Sequence, residues 1–193
     1  PIKNMRGETQ SNNSFDSNDF ATKQFIEDFK EAAFFMASFQ YSQLRSKLIF
    51  EQYLLVSEAN RYMELIDATQ PGQIIISDSL FYVLLHLCSA YEKLTDEKEK
   101  ENCLESINIG LNRLEKWSNL CDKNFEHKFL LIQAELKSIN KEFESAIYFY
   151  DKAIDSAKLN NFLHHTALCY ERVALYCKRC NKQNFFLLYI HKS

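Results

Sequence analysis

The clearest hydrophobic pattern in the chain lies between residues 142 and 158. Seven apolar residues stand there at positions i, i+3, i+4, i+7, i+10, i+11 and i+14, namely Phe143, Ala146, Ile147, Tyr150, Ala153, Ile154 and Ala157. This spacing follows the 3.6-residue turn of an α-helix and puts the seven side chains on one stripe. We therefore predict a helix from about Glu142 to Lys158, followed by a turn at Asn160-Asn161.

Weaker patterns predict further helices in the first part of the chain. Asp19 is expected to cap a helix that is rich in phenylalanine. The apolar-periodic stretch 32–66 is long enough for two helices, with a break near Glu51. Gln70-Pro71-Gly72 is the strongest turn signal in the chain, and Ile74-Ile75-Ile76 after it is expected to be extended or loop-like.

The middle of the chain is also predicted to be helical. Asp78 is expected to cap a helix over 79–94, and Thr95 is expected to cap the next one, which runs past Trp117. Asn124 is expected to cap the helix that precedes the clear stripe. After that stripe, a further helix is predicted to bury one face formed by Ala167, Tyr170, Ala174 and Cys177.

Small residues at fixed spacing indicate how these helices pair. Ala134 lies on one predicted helix, and Ala146 follows 12 residues later on the next, before Tyr150 and Ala153. Small side chains at these points let two antiparallel helices approach closely, while Tyr150 fills the groove between them. The spacing is typical of a tetratricopeptide helix-turn-helix, although Ala174 lies 40 residues after Ala134, which is longer than the usual 34-residue repeat.

We therefore predict an all-α fold, a tetratricopeptide-like superhelix of α-α hairpins (a solenoid) with about eight or nine helices. Residues 1–18 are expected to form a polar loop and residues 19–193 the helical-repeat domain. Such a unit needs neighbours to bury its apolar face. Because Phe185 to Ile190 are apolar all round and the chain begins with Pro1, we expect a domain truncated at both ends from a longer protein.

Composition agrees with helices and excludes some classes of partner. The chain of 193 residues has three glycines and two prolines, too few for the many turns of a sheet protein. Its net charge of −3 provides no basic field for nucleic acid or anionic lipid. The first residues are polar, so no signal peptide is visible.

The six cysteines do not resemble a secreted disulfide framework, so we interpret them as reduced thiols of a cytosolic or nuclear protein. Cys177 and Cys180 form a C-x-x-C pattern without the second ligand pair that zinc would need. Lys178 and Arg179 between them are expected to lower the pKa of the thiols if the pair has a redox role. The simpler interpretation is that they are small buried apolar residues.

No histidine or carboxylate arrangement predicts catalysis. His164 and His165 point about 100° apart on a helix and are interpreted as a solvated pair at a helix start. His127 is interpreted as a packing residue and His86 as a core histidine. Three isolated glycines make no phosphate-binding loop. We accordingly predict no catalytic residue, no metal and no cofactor.

Six short segments of the chain carry a further signal: Trp117 to Glu135, Ala146 to Ala157, Leu163 to Ala167, Glu171, Arg6-Gly7 and Ser14 to Asp16. These segments resemble parts of very large multidomain hybrid histidine kinases. In that family a protein-kinase-like domain and an AAA-type ATPase precede a tetratricopeptide-like region, and a GAF domain, a histidine kinase core and a receiver follow. The fungal members resemble cytoplasmic stress sensors, some for peroxide, that feed a phosphorelay upstream of a MAP kinase cascade. The resemblance implies that this chain belongs to the helical region, outside the catalytic residues.

The leading hypothesis is a non-catalytic scaffold in the cytoplasm that contacts a partner protein or other domains of a parent kinase. Residues of the first helix of the clear repeat are expected to be exposed on its concave face and to bind the partner; we nominate Lys128, Gln133 and Lys137. The alternative is a redox-sensing module switched by oxidation of Cys177 and Cys180. For a self-contained enzyme we find no positive indication.

Overall fold

The computed structural model describes residues 2–12, 14–69 and 75–192, and this part of the chain is all-α. The all-α prediction is therefore confirmed. Ten helices occur in the described residues, against the eight or nine predicted: α1 (Ile2–Met5), α2 (Thr22–Phe29), α3 (Ala33–Ile49), α4 (Val56–Thr69), α5 (Ile75–Tyr91), α6 (Glu97–Leu120), α7 (Asp122–Ile139), α8 (Phe143–Leu159), α9 (Leu163–Arg179) and α10 (Gln183–Ile190). The predicted turn at Gln70-Pro71-Gly72 lies outside the described residues.

The chain divides into two compact units, and the division falls within α6. The first unit ends at Ser106 and the second begins at Ile107. The prediction had other bounds, a loop over 1–18 and one helical domain over 19–193. The single helical turn α1 lies within that predicted loop.

The first unit is organised around α5. Most of this helix is apolar on all sides, and its central residues are fully buried: Leu80, Phe81, Val83, Leu84, Leu85 and Leu87. α3 and α4 pack against it. His86 on α5 is also buried, and its Nε2 lies 2.9 Å from the carbonyl oxygen of Leu44 on α3, which agrees with a core histidine.

Three helix starts differ from the prediction, and at two of them a different polar residue accepts one of the first backbone N–H groups. Asp96, not Thr95, caps α6, since its Oδ1 accepts the N–H of Glu99 at 2.9 Å. Asp16, not Asp19, accepts the first N–H of α2, that of Thr22, at 2.6 Å. α7 begins two residues before Asn124.

The second unit repeats one local arrangement every 20 residues. α8, α9 and α10 begin at residues 143, 163 and 183, and α8 and α9 are both 17 residues long. Before each start, one residue has a positive φ: Lys141, Asn161 and Asn181, at 61°, 60° and 55°. Each turn closes with the hydrogen-bond pair of a Schellman motif, as where Lys141 N–H donates to Ser138 and Glu142 N–H to Lys137.

Packing in the second unit follows the predicted small residues. α7 packs on α8, α8 on α9 and α9 on α10. Ala134, Ala146, Ala153 and Tyr150 are all fully buried, so the predicted close approach of the two helices is confirmed. On α9 the prediction holds for Tyr170, Ala174 and Cys177 but is wrong for Ala167, which is exposed in the first turn. The 40-residue hairpin period explains why Ala174 follows Ala134 by 40 residues.

None of the helices in the described residues combines the length and the apolar character that crossing a membrane requires.

The positive φ of Lys141 gives a direct test of the turn geometry. A side chain at φ 61° is strained, whereas glycine adopts this conformation at no steric cost. We expect Lys141→Gly to raise the free energy of unfolding by up to about 1 kcal/mol. Urea unfolding measures it, with Lys152→Gly in the middle of α8 as the matched control, which should lower stability by about 1 kcal/mol. Loss of stability in both variants would contradict the turn assignment.

Candidate functional site

The nominated partner-binding residues on α7 are less accessible than expected. Lys128 is only 3% exposed, so the expectation that it lies on an open face is wrong. The reason is its position, because Leu131 and Ile132, three and four residues later, are fully buried on the same face of the helix. The Lys128 ammonium lies 5.4 Å from the centre of the Phe125 ring.

Gln133 and Lys137 are half-buried. The ammonium of Lys137 donates to both carboxylate oxygens of Glu142, at 2.9 and 3.1 Å. This ion pair links the end of α7 to the residue before α8, and its two side chains are each more than a third exposed. The role of Gln133 and Lys137 in partner binding stays a prediction.

A buried ionic cluster joins three helices of the second unit. Glu135 of α7 accepts two hydrogen bonds from Arg172 of α9, from Nε at 2.8 Å and from Nη2 at 2.7 Å. The hydroxyl of Tyr150 on α8 donates to the same carboxylate at 2.9 Å. Glu135 and Arg172 are 2% and 5% exposed. Sequence reasoning missed this pair, although opposite charges inside two apolar stripes were a usable signal.

The electrostatics of this cluster favour its ionised form. Burial alone would raise the pKa of Glu135, but the Arg172 guanidinium, assisted by Arg179 and the Tyr150 hydroxyl, holds it below its usual range. Burial and the neighbouring Glu135 charge together raise the pKa of Tyr150, so its hydroxyl stays a proton donor. The cluster therefore acts as a permanent link between helices.

A buried histidine pair provides a second link between α7 and α9. Nε2 of His127 lies 2.8 Å from Nδ1 of His165, so one of the two nitrogens carries the shared proton. The His127 ring also stacks on Phe162, with ring centres 4.4 Å apart. His164 is exposed as expected, but the interpretation of His165 as solvated is wrong, because it faces α7 and is fully covered.

The environment of His127 keeps it neutral. Burial first, and then the charge of Lys128 and the neighbouring His164, lower the pKa of His127 to about 3. Its Nδ1 is buried and has no hydrogen-bond partner in the described part of the chain. This site serves packing, as the sequence interpretation had it.

The two thiols of the C-x-x-C pattern lie in different surroundings. Cys177 is fully buried inside α9, and Cys180 is half-buried at the residue after the helix. Burial, with smaller effects of Cys180 and Asp151, raises the pKa of the Cys177 thiol to about 11. The expectation that Lys178 and Arg179 lower its pKa is therefore wrong.

The first unit contains an open groove with an aromatic wall. The groove has a volume of about 530 Å³, and five phenylalanine rings line it: Phe15, Phe20, Phe25, Phe35 and Phe39. Phe39 of α3 is buried at the middle of this wall. The centres of the Phe25 and Phe15 rings lie 5.1 and 5.7 Å from the centre of the Phe39 ring. The sequence pattern predicted a phenylalanine-rich helix here. It did not predict a cavity, because the facing wall comes from the N-terminal segment.

The N-terminal segment is held in place by Asn4. This side chain is buried, donates to the carbonyl oxygen of Ser14 at 3.0 Å and accepts a hydrogen bond from the hydroxyl of Ser46 on α3. At the rim, the ammonium of Lys3 lies 2.6 Å from Asp19. The segment therefore forms a fixed side of the groove.

A second apolar surface lies on α10. Phe185, Leu187 and Leu188 are each more than two-fifths exposed, while Tyr189 is buried and donates to Asp151 at 2.9 Å. Residues 178–192 around this surface contain three lysines and one arginine and no acidic residue.

Among the described residues, no group of three or more His, Cys, Asp or Glu side chains is placed so that it could hold a metal ion. Comparison with family models, curated proteins and solved structures gives no match. The resemblance to hybrid histidine kinases stays a prediction drawn from the sequence.

The Glu135–Arg172 pair predicts a large and non-additive effect on stability. Removing one partner leaves a buried charge without its counter-ion, so Arg172→Met should cost about 3–5 kcal/mol in urea unfolding. The double variant Glu135→Leu, Arg172→Met should cost less than Arg172→Met alone. Lys137→Met, which breaks the exposed pair with Glu142, should cost less than about 1 kcal/mol. Equal losses in Arg172→Met and Lys137→Met would show that the buried pair is not a link.

The depressed pKa of His127 predicts a pH dependence of stability. Below pH 6.5 the unfolded chain protonates this histidine, but the folded chain does not until about pH 3, so acid favours unfolding. The free energy of unfolding should fall by roughly 1.4 kcal/mol per pH unit from this group, or roughly 2 kcal/mol between pH 6.5 and 5.

Urea unfolding at pH 7, 6 and 5 checks this dependence. His127→Phe should lose that part of the slope, whereas the control His191→Phe, at an exposed position, should keep it. The same slope in His127→Phe as in the unmodified chain would assign the pH dependence to other groups.

Proposed function

We propose that this chain is a non-catalytic helical-repeat scaffold that binds protein partners or other domains of a parent protein. The observation that carries the proposal is the burial of four reactive side chains in the second unit. Glu135, Arg172, His127 and Cys177 are all buried, and the first three bond to one another or to neighbouring helices. These groups therefore serve cohesion between helices and are turned away from solvent.

The regular turns support the same function. Successive helices of equal length, joined by the same three-residue turn, are compatible with a repeat array, and repeat arrays commonly present extended binding surfaces. The exposed apolar side chains then provide the contact areas, chiefly the groove of the first unit and the outer face of α10.

The context that we propose for the scaffold is a cytoplasmic hybrid histidine kinase of a peroxide-responsive phosphorelay. Its support is the resemblance of residues 117–135 and 146–157 to that family. The alternative redox function through Cys177 and Cys180 is less favoured. The raised pKa of Cys177 lowers the fraction of its reactive thiolate form, and burial limits the access of an oxidant to it.

The test is capture with the full chain as bait in an extract of cells that express it, followed by calorimetry with the purified partner. We expect one saturable complex that Phe35→Ser in the groove or Leu188→Ser on α10 weakens at least tenfold. The control Leu159→Ser changes a residue that is 82% exposed at the end of α8, and it should leave the affinity within twofold. Turnover of a small molecule by the chain, or a complex that neither variant affects, would overturn the proposal.

A further inference from the structure

The groove of the first unit has an aromatic wall that no other described element fully covers. α2 has no buried residue, although Phe25 and Phe29 are on the side that faces α3. The rings of Phe25, Phe29 and Phe35 follow one another at 4.8 and 4.9 Å and continue from the buried Phe39 to the surface. Phe35 is 48% exposed, and its ring lies 5.8 Å from that of Phe34, which is 58% exposed at the outer end. The wall is thus a continuous aromatic ladder with an open end.

The charges around this open end are mainly acidic. Residues 2–12 and 14–42 carry six acidic and four basic side chains. Lys3 pairs with Asp19 and Lys30 pairs with Glu27, which leaves four acidic and two basic side chains outside these two ion pairs. Asp28 and Glu31 lie at the C-terminal end of α2, where the helix dipole adds negative potential. This end of the groove therefore favours a ligand that carries a positive charge next to an apolar side chain.

The size of the groove fits a small number of large side chains. Its volume of about 530 Å³ lies within the range of ligand pockets, about 300–1,000 Å³. The groove is bordered by two helices and the fixed N-terminal segment, so an elongated occupant with one apolar side fits better than a flat protein surface. Helices in grooves present such a side through residues at i, i+3, i+4 and i+7.

We propose that this groove binds a basic amphipathic helix of a partner protein, whose leucine or aromatic side chains contact the phenylalanine ladder and whose lysines or arginines face the C-terminal end of α2. The proposal rests on the scaffold function and names the chemistry of one partner for one of its surfaces. The groove supplies apolar contact, and the acidic residues supply orientation and a preference for a cationic partner.

The test uses the full chain and a fluorescein-labelled 18-residue peptide of leucine and lysine with leucines at i, i+3, i+4 and i+7. Fluorescence anisotropy should show saturable binding that weakens severalfold between 50 and 500 mM salt. A peptide with the same composition but permuted leucines, and a leucine–glutamate peptide with the original spacing, should each bind at least tenfold more weakly.

Variants of the chain locate the binding. Phe35→Ser should weaken the leucine–lysine peptide at least tenfold, whereas Ile49→Ser, at a side chain that is 50% exposed at the end of α3 and does not line the groove, should change it less than twofold. Glu31→Lys should weaken it at least threefold. Circular dichroism melting of each variant should show an unchanged fold, because Phe35 and Ile49 are both about half exposed.

Three outcomes would overturn the proposal. The first is equal binding of the permuted peptide or equal loss in Ile49→Ser and Phe35→Ser. The second is self-association of the chain that Phe35→Ser abolishes, which would make a second copy the occupant. The third is displacement of the peptide by a neutral detergent monomer but not by unlabelled peptide, which would assign the groove to small amphiphiles. If the peptide fails while Phe35→Ser still weakens a captured protein, only the chemistry of the partner is wrong and the scaffold function stands.

Discussion

The second unit depends on one buried carboxylate. Glu135 on α7 accepts hydrogen bonds from Arg172 on α9 and from Tyr150 on α8, so three helices meet at two oxygen atoms. A buried charge is costly unless it is paired and fully hydrogen-bonded, and this cost penalises any arrangement that separates the helices. The small residues Ala134, Ala146 and Ala153 allow the close approach that these bonds require. Close packing and the ion pair therefore support each other, and the histidine pair adds a further contact between α7 and α9.

The two units use their side chains differently, and this difference bears on function. In the second unit, α8 and α9 have equal length and alike turns, and Glu135, Arg172, His127 and Cys177 are buried among the helices. In the first unit, a short amphipathic helix, α2, lies against α3 without burying any residue completely, and the N-terminal segment closes one side of a groove. Exposed apolar surfaces such as this groove commonly mark sites of protein–protein interaction. The scaffold function that we propose is supported by this division, since Glu135, Arg172, His127 and Cys177 are buried while apolar side chains of the groove and of α10 are exposed.

Much of the fold was predictable because it rests on local periodicity. The stripe over 143–157, the turn at Asn160-Asn161 and the small-residue spacing around Tyr150 all depend on neighbours within one hairpin, and all three are confirmed. The contacts that were missed join residues about 40 positions apart. Glu135 with Arg172 and His127 with His165 meet only when α9 stacks on α7, and a single sequence does not report which turn faces which. Lys128 was expected to be exposed because the first helix of the repeat was expected to line the concave face, whereas its position three and four residues before Leu131 and Ile132 places it on the buried side. The groove was also unpredictable, since its second wall is an irregular segment.

Native-state hydrogen exchange is the most direct test of the claim that one buried cluster holds α7, α8 and α9 together. If the Glu135 carboxylate links the three helices, the slowest amides of the second unit should lie around residues 135, 150 and 172 and should share one free energy of opening within experimental error. The account would be contradicted if the amides near Arg172 on α9 exchanged through a separate opening, at least a hundredfold faster than those near Glu135 and Tyr150.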